Sequence, residues 1–120
     1  MMKILIADDS RAMRLMIRKT MREAGHGGHS FIEAGDGAEA LTMIEREKPD
    51  FVLCDWNMPN MSGMELLLAL RGRNDTTGFG FITTECSEDA RRDAEAAGAR
   101  FVITKPFTAD SFAHAMDKVL

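Results

Sequence analysis

Short apolar runs alternate five times with segments of helical period, and this alternation limits the possible folds more than any other feature of the chain. The runs are Lys3–Ala7, Ser30–Glu33, Phe51–Cys54, Phe79–Thr83 and Phe101–Thr104. Between them, apolar positions recur three and four residues apart, as one face of a helix requires. One stripe is Met13, Met16, Ile17 and Thr20; a second is Ala38, Leu41 and Ile44. Met64, Leu67 and Leu68 make a third, and Phe112, Ala115, Met116 and Val119 the last. Asp36 with Glu39, and Ser62 with Glu65, have the spacing of capping boxes. Gly25 and Gly98 fall where helices should stop. The segment from Ser87 to Ala97 offers only Ala90, Ala94 and Ala97 to a core, so it predicts a loosely held helix that buries little area.

Strands alternating with helices read as βα units around a parallel sheet. "ILIA" and "FVLC" are apolar at consecutive positions, so both faces of the sheet should be covered by helices. The expected fold is a doubly wound α/β domain with five parallel strands. The flavodoxin-like order 2-1-3-4-5 is one of the two common windings. A chain of 120 residues is one domain by length and can bury a core without disulfides or a structural metal. With a net charge of −4 and no run rich in Lys or Arg, a nucleic-acid surface is not expected. No apolar run approaches the length of a membrane span, and "MMKILIADDS" reaches two acids too soon for a signal peptide. Cys54 and Cys86 have no metal-ligand spacing and read as reduced thiols in a cytoplasmic protein, filling small apolar sites. His26 and His29, in "GHGGHS", have no third ligand in view and read as solvated loop histidines.

In a parallel sheet every strand ends on the same edge, and ligands bind there. Strand 1 runs into Asp8 and Asp9, strand 3 into Asp55, strand 4 into Thr83 and Thr84, and strand 5 into Lys105. With strands 1 and 3 adjacent, their ends lie roughly 5 Å apart. Two like charges about 4 Å apart repel by about 4 kcal/mol at an effective dielectric near 20. Protonating one acid or binding a cation relieves this. A hard divalent ion such as Mg²⁺ suits oxygen ligands and leaves positions for water and a phosphate oxygen. Acids, a cation, a lysine and a hydroxyl are the equipment for holding a phosphoryl group. No Gly-rich phosphate loop occurs, so the group would come from another protein or a small phosphodonor. A carboxylate can accept it as an acyl phosphate, and Asp55, nearest the middle of the sheet, is the predicted acceptor.

The stretches "ADDSRAMR", "DWNMPNMSGMELL", "ITTE" and "KPF" together resemble the receiver domain of two-component response regulators, of the single-domain CheY-like, chemotaxis type. The likeness runs from Lys3 to Leu120, with four motifs in the family's order. It implies a single receiver domain over residues 1–120 with no output domain. It also implies that Asp55 is the phospho-acceptor. Asp8, Asp9, Asp55 and the backbone carbonyl of Asn57 would hold Mg²⁺ or Mn²⁺. Lys105 would bind phosphate and precede Pro106 through a cis peptide bond. Counting back from the lysine as the family aligns selects Thr83 over Thr84 as the switching hydroxyl. Asn57 and Glu85 would tune dephosphorylation. The position three before the lysine, aromatic in the family, is Val102 here, and Phe101 lies one residue earlier. The connection "RGRNDTTG" is two residues shorter than in that relative.

The function so implied is a phosphorylation switch, not an enzyme beyond assisting its own phosphorylation and dephosphorylation. The phosphoryl group would come from a histidine kinase or a His-phosphotransfer protein. Helix 1, with Arg11, Arg14, Arg18 and Arg22, is the expected docking side. Output would be a protein contact on the face of helix 4, strand 5 and helix 5, as in flagellar motor control, or a relay to another phosphotransfer protein. Neither nucleic acid nor membrane is an expected partner. The alternatives are a receiver-like binding module that is never phosphorylated and a phosphatase with an aspartyl nucleophile. Such phosphatases usually carry an acid two residues after the nucleophile, where Asn57 stands. Trp56, beside Asp55, should be half exposed. Met58 and Met61 read as core residues, with a contact surface as the lesser reading.

Overall fold

The structure is a computed structural model that describes residues 1–85 and 87–119. Cys86 and its expected role as an apolar filler lie outside the described residues, as does Leu120. Five strands and five helices alternate: β1 Lys3–Ala7, α1 Arg11–Glu23, β2 Ser30–Ala34, α2 Gly37–Glu47, β3 Phe51–Cys54, α3 Gly63–Gly72, β4 Gly78–Thr83, α4 Glu88–Ala96, β5 Val102–Thr104 and α5 Ala109–Met116. All strand pairs are parallel, in the order β2-β1-β3-β4-β5. This is the expected doubly wound fold.

Consecutive apolar residues on β1 and β3 are what cover both faces of the sheet. Leu5, Ala7, Val52 and Cys54 pack on one side with Ala40, Leu66, Leu67 and Leu70. Ile4, Ile6, Phe51 and Leu53 pack on the other with Ile17, Met21 and Phe112. The helix faces differ from the sequence reading in phase. Met16 and Leu68 are about half exposed. The buried faces are Ile17, Thr20 and Met21 on α1, and Leu66, Leu67 and Leu70 on α3. On α2, Ala40 and Ile44 face inward, while Ala38 is exposed and Leu41 half-buried. Runs such as Leu15-Met16-Ile17 fit two neighbouring stripes equally well, and the sheet surface decides between them. As expected, this segment offers the core only small side chains: Ala90 and Ala94 are buried on α4, and Ala97 at its C-terminal end packs half-buried against the core.

Ser10, Asp36, Ser62, Ser87 and Thr108 each accept an N–H from the first turn of the helix they precede. Ser62 and Glu65 complete a reciprocal box. Asp36 accepts the Glu39 N–H, but the return bond from the Asp36 N–H to the Glu39 side chain is not made. Gly25 and Gly98, with φ of 89° and 104°, end α1 and α4 in a conformation that favours glycine. β5 begins at Val102 rather than Phe101, whose ring stacks on Phe51.

His26 and His29 are not solvated loop residues. His26 Nε2 lies 2.9 Å from Asp117 Oδ1, the Met2 N–H donates to His29 Nδ1 at 3.0 Å, and the two rings stack. The glycines around them let the loop fold back onto the end of α5, which no local pattern reveals.

Candidate functional site

The register of the central strands builds the site. Ala7 pairs with Cys54, the last residues of β1 and β3, so the residues that follow, Asp8 and Asp55, emerge side by side on one edge. The Asp55 N–H donates to Ala7 O and the Asp8 N–H to Ala34 O, which extends the ladder past the strand ends and fixes both acids. Oxygens of Asp8, Asp9 and Asp55 lie within 4.8 Å of one another. Asp8 is buried, Asp55 half-buried and Asp9 exposed.

Lys105 reaches this group from β5. Its Nζ donates to Asp8 Oδ2 at 2.9 Å and to Asp55 Oδ2 at 3.1 Å. Burial works against the charged ammonium, but the two carboxylates outweigh it and hold its pKa above the ordinary lysine value. The Lys105–Pro106 peptide is cis. The remaining oxygens are occupied: Asp8 Oδ1 accepts the Ser10 N–H, and Asp55 Oδ1 the Trp56 N–H. Among the described residues, every buried side-chain nitrogen and oxygen has a partner.

The chemistry of the donor set fits a hard cation. Three carboxylate oxygens gathered this closely are the hard donors that Mg²⁺ would prefer. The Lys105 ammonium supplies one charge against three, which leaves the rim short of positive charge.

The other expected site residues stand around this centre. Thr83 ends β4 fully buried, its Oγ1 accepting the Glu85 N–H at 3.1 Å, while Thr84 is exposed. Asn57 and Glu85 are exposed at the same edge of the sheet. Trp56 is half-buried, its ring tilted over Phe81 at 4.8 Å. Met58 and Met61 lean on the core. Cys54, buried at the end of β3, packs as an apolar filler, and burial first, then Asp55 and Asp8, push its thiol well above the ordinary value. Val102 is buried, and it lines a groove of about 560 Å³ between α4, β5 and α5. Arg91, Arg100, Phe107, His114 and Lys118 share that groove. Phe101 faces Gly80, stacks on Phe51 and also lines this groove.

The arginines of α1 divide. Arg14 and Arg18 turn onto Glu33 at 2.8 and 3.0 Å, and Arg14 also donates to Asp8 O. Arg11 and Arg22 stay exposed. Burial raises the Glu33 pKa, but the two guanidiniums more than offset it and hold the carboxyl below the usual range. Sequence reading missed the Arg14–Glu33 pair and a tie from Asn60 to Asp36, whose partners lie far apart in the chain.

The family described as "Response regulator receiver domain" matches residues 4–117. The chain is similar to chemotaxis protein CheY-3 of Vibrio cholerae, with 38% identity over 98% of this chain and 91% of that protein. It is 38% identical to chemotaxis protein CheY of Pseudomonas aeruginosa, over 98% of this chain and 95% of that protein. Among solved structures, chemotaxis protein CheY4 of Vibrio cholerae superposes with a TM-score of 0.86 at 33% identity, covering 100% of this chain and 99% of that one.

Proposed function

The chain belongs to the response regulator receiver family, and on that premise we propose that it is the phospho-accepting switch of a two-component system. The observation that carries this reading is the Lys105 ammonium held between Asp8 and Asp55 on a rim that keeps net negative charge. Asp55 is the acceptor. Its carboxylate oxygen attacks the phosphorus of a phosphohistidine on a histidine kinase or His-phosphotransfer protein. The new P–O bond forms as the P–N bond breaks, and the freed imidazole takes a proton from solvent. Asp8, Asp9, Asp55 and the Asn57 carbonyl hold Mg²⁺ or Mn²⁺. When bound, the cation offsets charge on the phosphoryl oxygens.

The chain's own groups do the rest. Lys105 already spans two carboxylates and follows the added charge onto the phosphoryl group. The Thr83 hydroxyl exchanges the Glu85 N–H for a phosphoryl oxygen and so pulls on the β4–α4 connection. Because α4 buries only Ala90 and Ala94 of its own residues, it is the element that repacks most cheaply. Its motion reshapes the groove lined by Val102, which stands where the family carries an aromatic, and the affinity for a downstream protein on the α4–β5–α5 face changes. Asn57 and Glu85 position water for hydrolysis and set the lifetime. The protein acts in the cytoplasm as a switch rather than an enzyme. Among the described residues no helix is long and apolar enough to cross a membrane.

Intact-mass measurement tests this. Phosphoramidate or acetyl phosphate with Mg²⁺ should add one phosphate to the protein and none to Asp55→Asn. A protein that gains no phosphate, or an Asp55→Asn variant that gains it equally, overturns the assignment.

A further inference from the structure

The loop between β3 and α3, residues 55–62, begins at Asp55 and carries Asn57. It is pinned at three places. The Asp55 N–H donates to Ala7 O at 2.9 Å, and the Gly63 N–H donates back to Trp56 O at 2.8 Å. The third pin is at the tip, where Asn60 Nδ2 donates to Asp36 Oδ2 at 3.0 Å. Asn60 sits at φ 68°, a left-handed conformation that asparagine tolerates better than most residues. Asp36 is itself fixed, because its other oxygen accepts the Glu39 N–H at 2.7 Å and caps α2. The Glu39 N–H first, and then the Asn60 amide, hold its carboxyl below the usual range. Backbone contact closes the same seam: a Cβ at Gly37 would lie 2.1 Å from Met61 O, so only glycine lets α2 approach the loop. One carboxylate therefore joins the first turn of α2 to the loop that follows the acceptor.

We propose that Asn60 is a positioning residue for the phosphoryl site, and that its amide, through Asp36, holds the 55–62 loop in the conformation that binds the cation. This rests on the reading of the acid cluster as a Mg²⁺ site. Asn60 and Asp36 touch neither the acids nor Lys105; they act through the backbone between Asp55 and Gly63. Outer contacts that orient ligands commonly change metal affinity by ten- to a hundredfold.

Three variants test it. Asn60→Gly keeps the left-handed backbone and deletes only the amide. Asn60→Asp places a second carboxylate against Asp36. The exchange Asp36→Asn with Asn60→Asp restores a donor and an acceptor, and asparagine still caps α2. Mg²⁺ affinity is read by calorimetry and by Trp56 fluorescence. Amide exchange of Asn57 and Met58 is followed without Mg²⁺. Asn60→Gly should weaken Mg²⁺ binding by about tenfold and speed exchange in the loop, with an unchanged Tm in the absence of the ion. Asn60→Asp should bind more weakly still, and the exchange variant should recover wild-type affinity. Wild-type affinity in both single variants, or no recovery in the exchange, overturns the inference and leaves the Mg²⁺ reading standing. A wild-type protein that binds no Mg²⁺, or binds it equally after Asp55→Asn, overturns both.

Discussion

Lys105 and Asp55 lie on strands two places apart in the sheet, yet the lysine ammonium reaches to 3.1 Å from the Asp55 carboxylate. The same ammonium holds Asp8, so it occupies the oxygens a cation would use and supplies charge that a cation would otherwise supply. Replacing it with an apolar side chain of similar length should have two opposite effects. Lys105→Met should bind Mg²⁺ several-fold more tightly, because one positive charge within about 5 Å is removed. It should also lose most of the Trp56 fluorescence change that accompanies phosphorylation, since nothing then draws β5 toward the phosphoryl group. Mg²⁺ titration and a phosphoramidate time course measure the two separately. Weaker Mg²⁺ binding would mean that the lysine orders the acids more than it competes with the ion.

Asp9 gives the complementary test of crowding. It is the exposed member of the cluster and takes no part in the Lys105 bridge. Asp9→Asn removes repulsion and breaks no ion pair, so the metal-free variant should be more stable than wild type by about 1 kcal/mol at low salt. The gain in Tm on adding Mg²⁺ should shrink, because stabilisation by a ligand grows with the logarithm of its affinity. Thermal unfolding with and without the ion reads both. A less stable metal-free variant would show that Asp9 has a favourable contact that outweighs repulsion.

The site was legible because it depends on strand ends. Once the order 2-1-3-4-5 is assumed, Asp8, Asp55 and Lys105 must share an edge, and only the length of the lysine stem decides whether they meet. Helix faces were less legible. Leu15-Met16-Ile17 and Leu66-Leu67-Leu68 present apolar residues on neighbouring stripes, and contact with the sheet, not periodicity, exposes Met16 and Leu68. Ties such as Asn60 to Asp36, or His29 to Met2, join residues 24 and 27 positions apart through single hydrogen bonds. Such bonds leave no pattern in a sequence, because each needs only one donor and one acceptor brought together by everything else.

Gly80 and Phe101 make a packing pair that can be tested by size. A Cβ on Gly80 would lie 2.3 Å from the Phe101 ring, which is held in place by stacking on Phe51 at 5.7 Å. The ring is flat and rigid, so it must leave the stack. Gly80→Ala should destabilise the protein by about 1–3 kcal/mol, the usual cost of overpacking. In a Phe101→Leu background the same change should cost less, and a double-mutant cycle in urea gives the coupling. Additive costs would show that the alanine is accommodated by the strand backbone instead.

His29 should make stability depend on mild acid. Its Nδ1 accepts the Met2 N–H, which requires that nitrogen to be unprotonated. Burial first, then the neighbouring His26 and the terminal amine, lower its pKa below the ordinary histidine value. Asp117 is the nearby carboxylate, and it faces His26. The sign follows from linkage. A histidine kept neutral by folding contributes its full share of stability above about pH 6.5, the unfolded value. The share is lost as the pH falls through the lower folded value, because the unfolded chain takes up the proton first. Protonation also breaks the bond that holds the residue before β1, worth about 1 kcal/mol. Wild type should therefore lose roughly that amount between pH 7 and pH 5 relative to His29→Gln, whose amide oxygen can accept the same N–H without titrating. Urea unfolding of both proteins at the two pH values measures the difference. Parallel pH dependence in the two would place the acid sensitivity elsewhere and leave the Met2–His29 bond without a role in it.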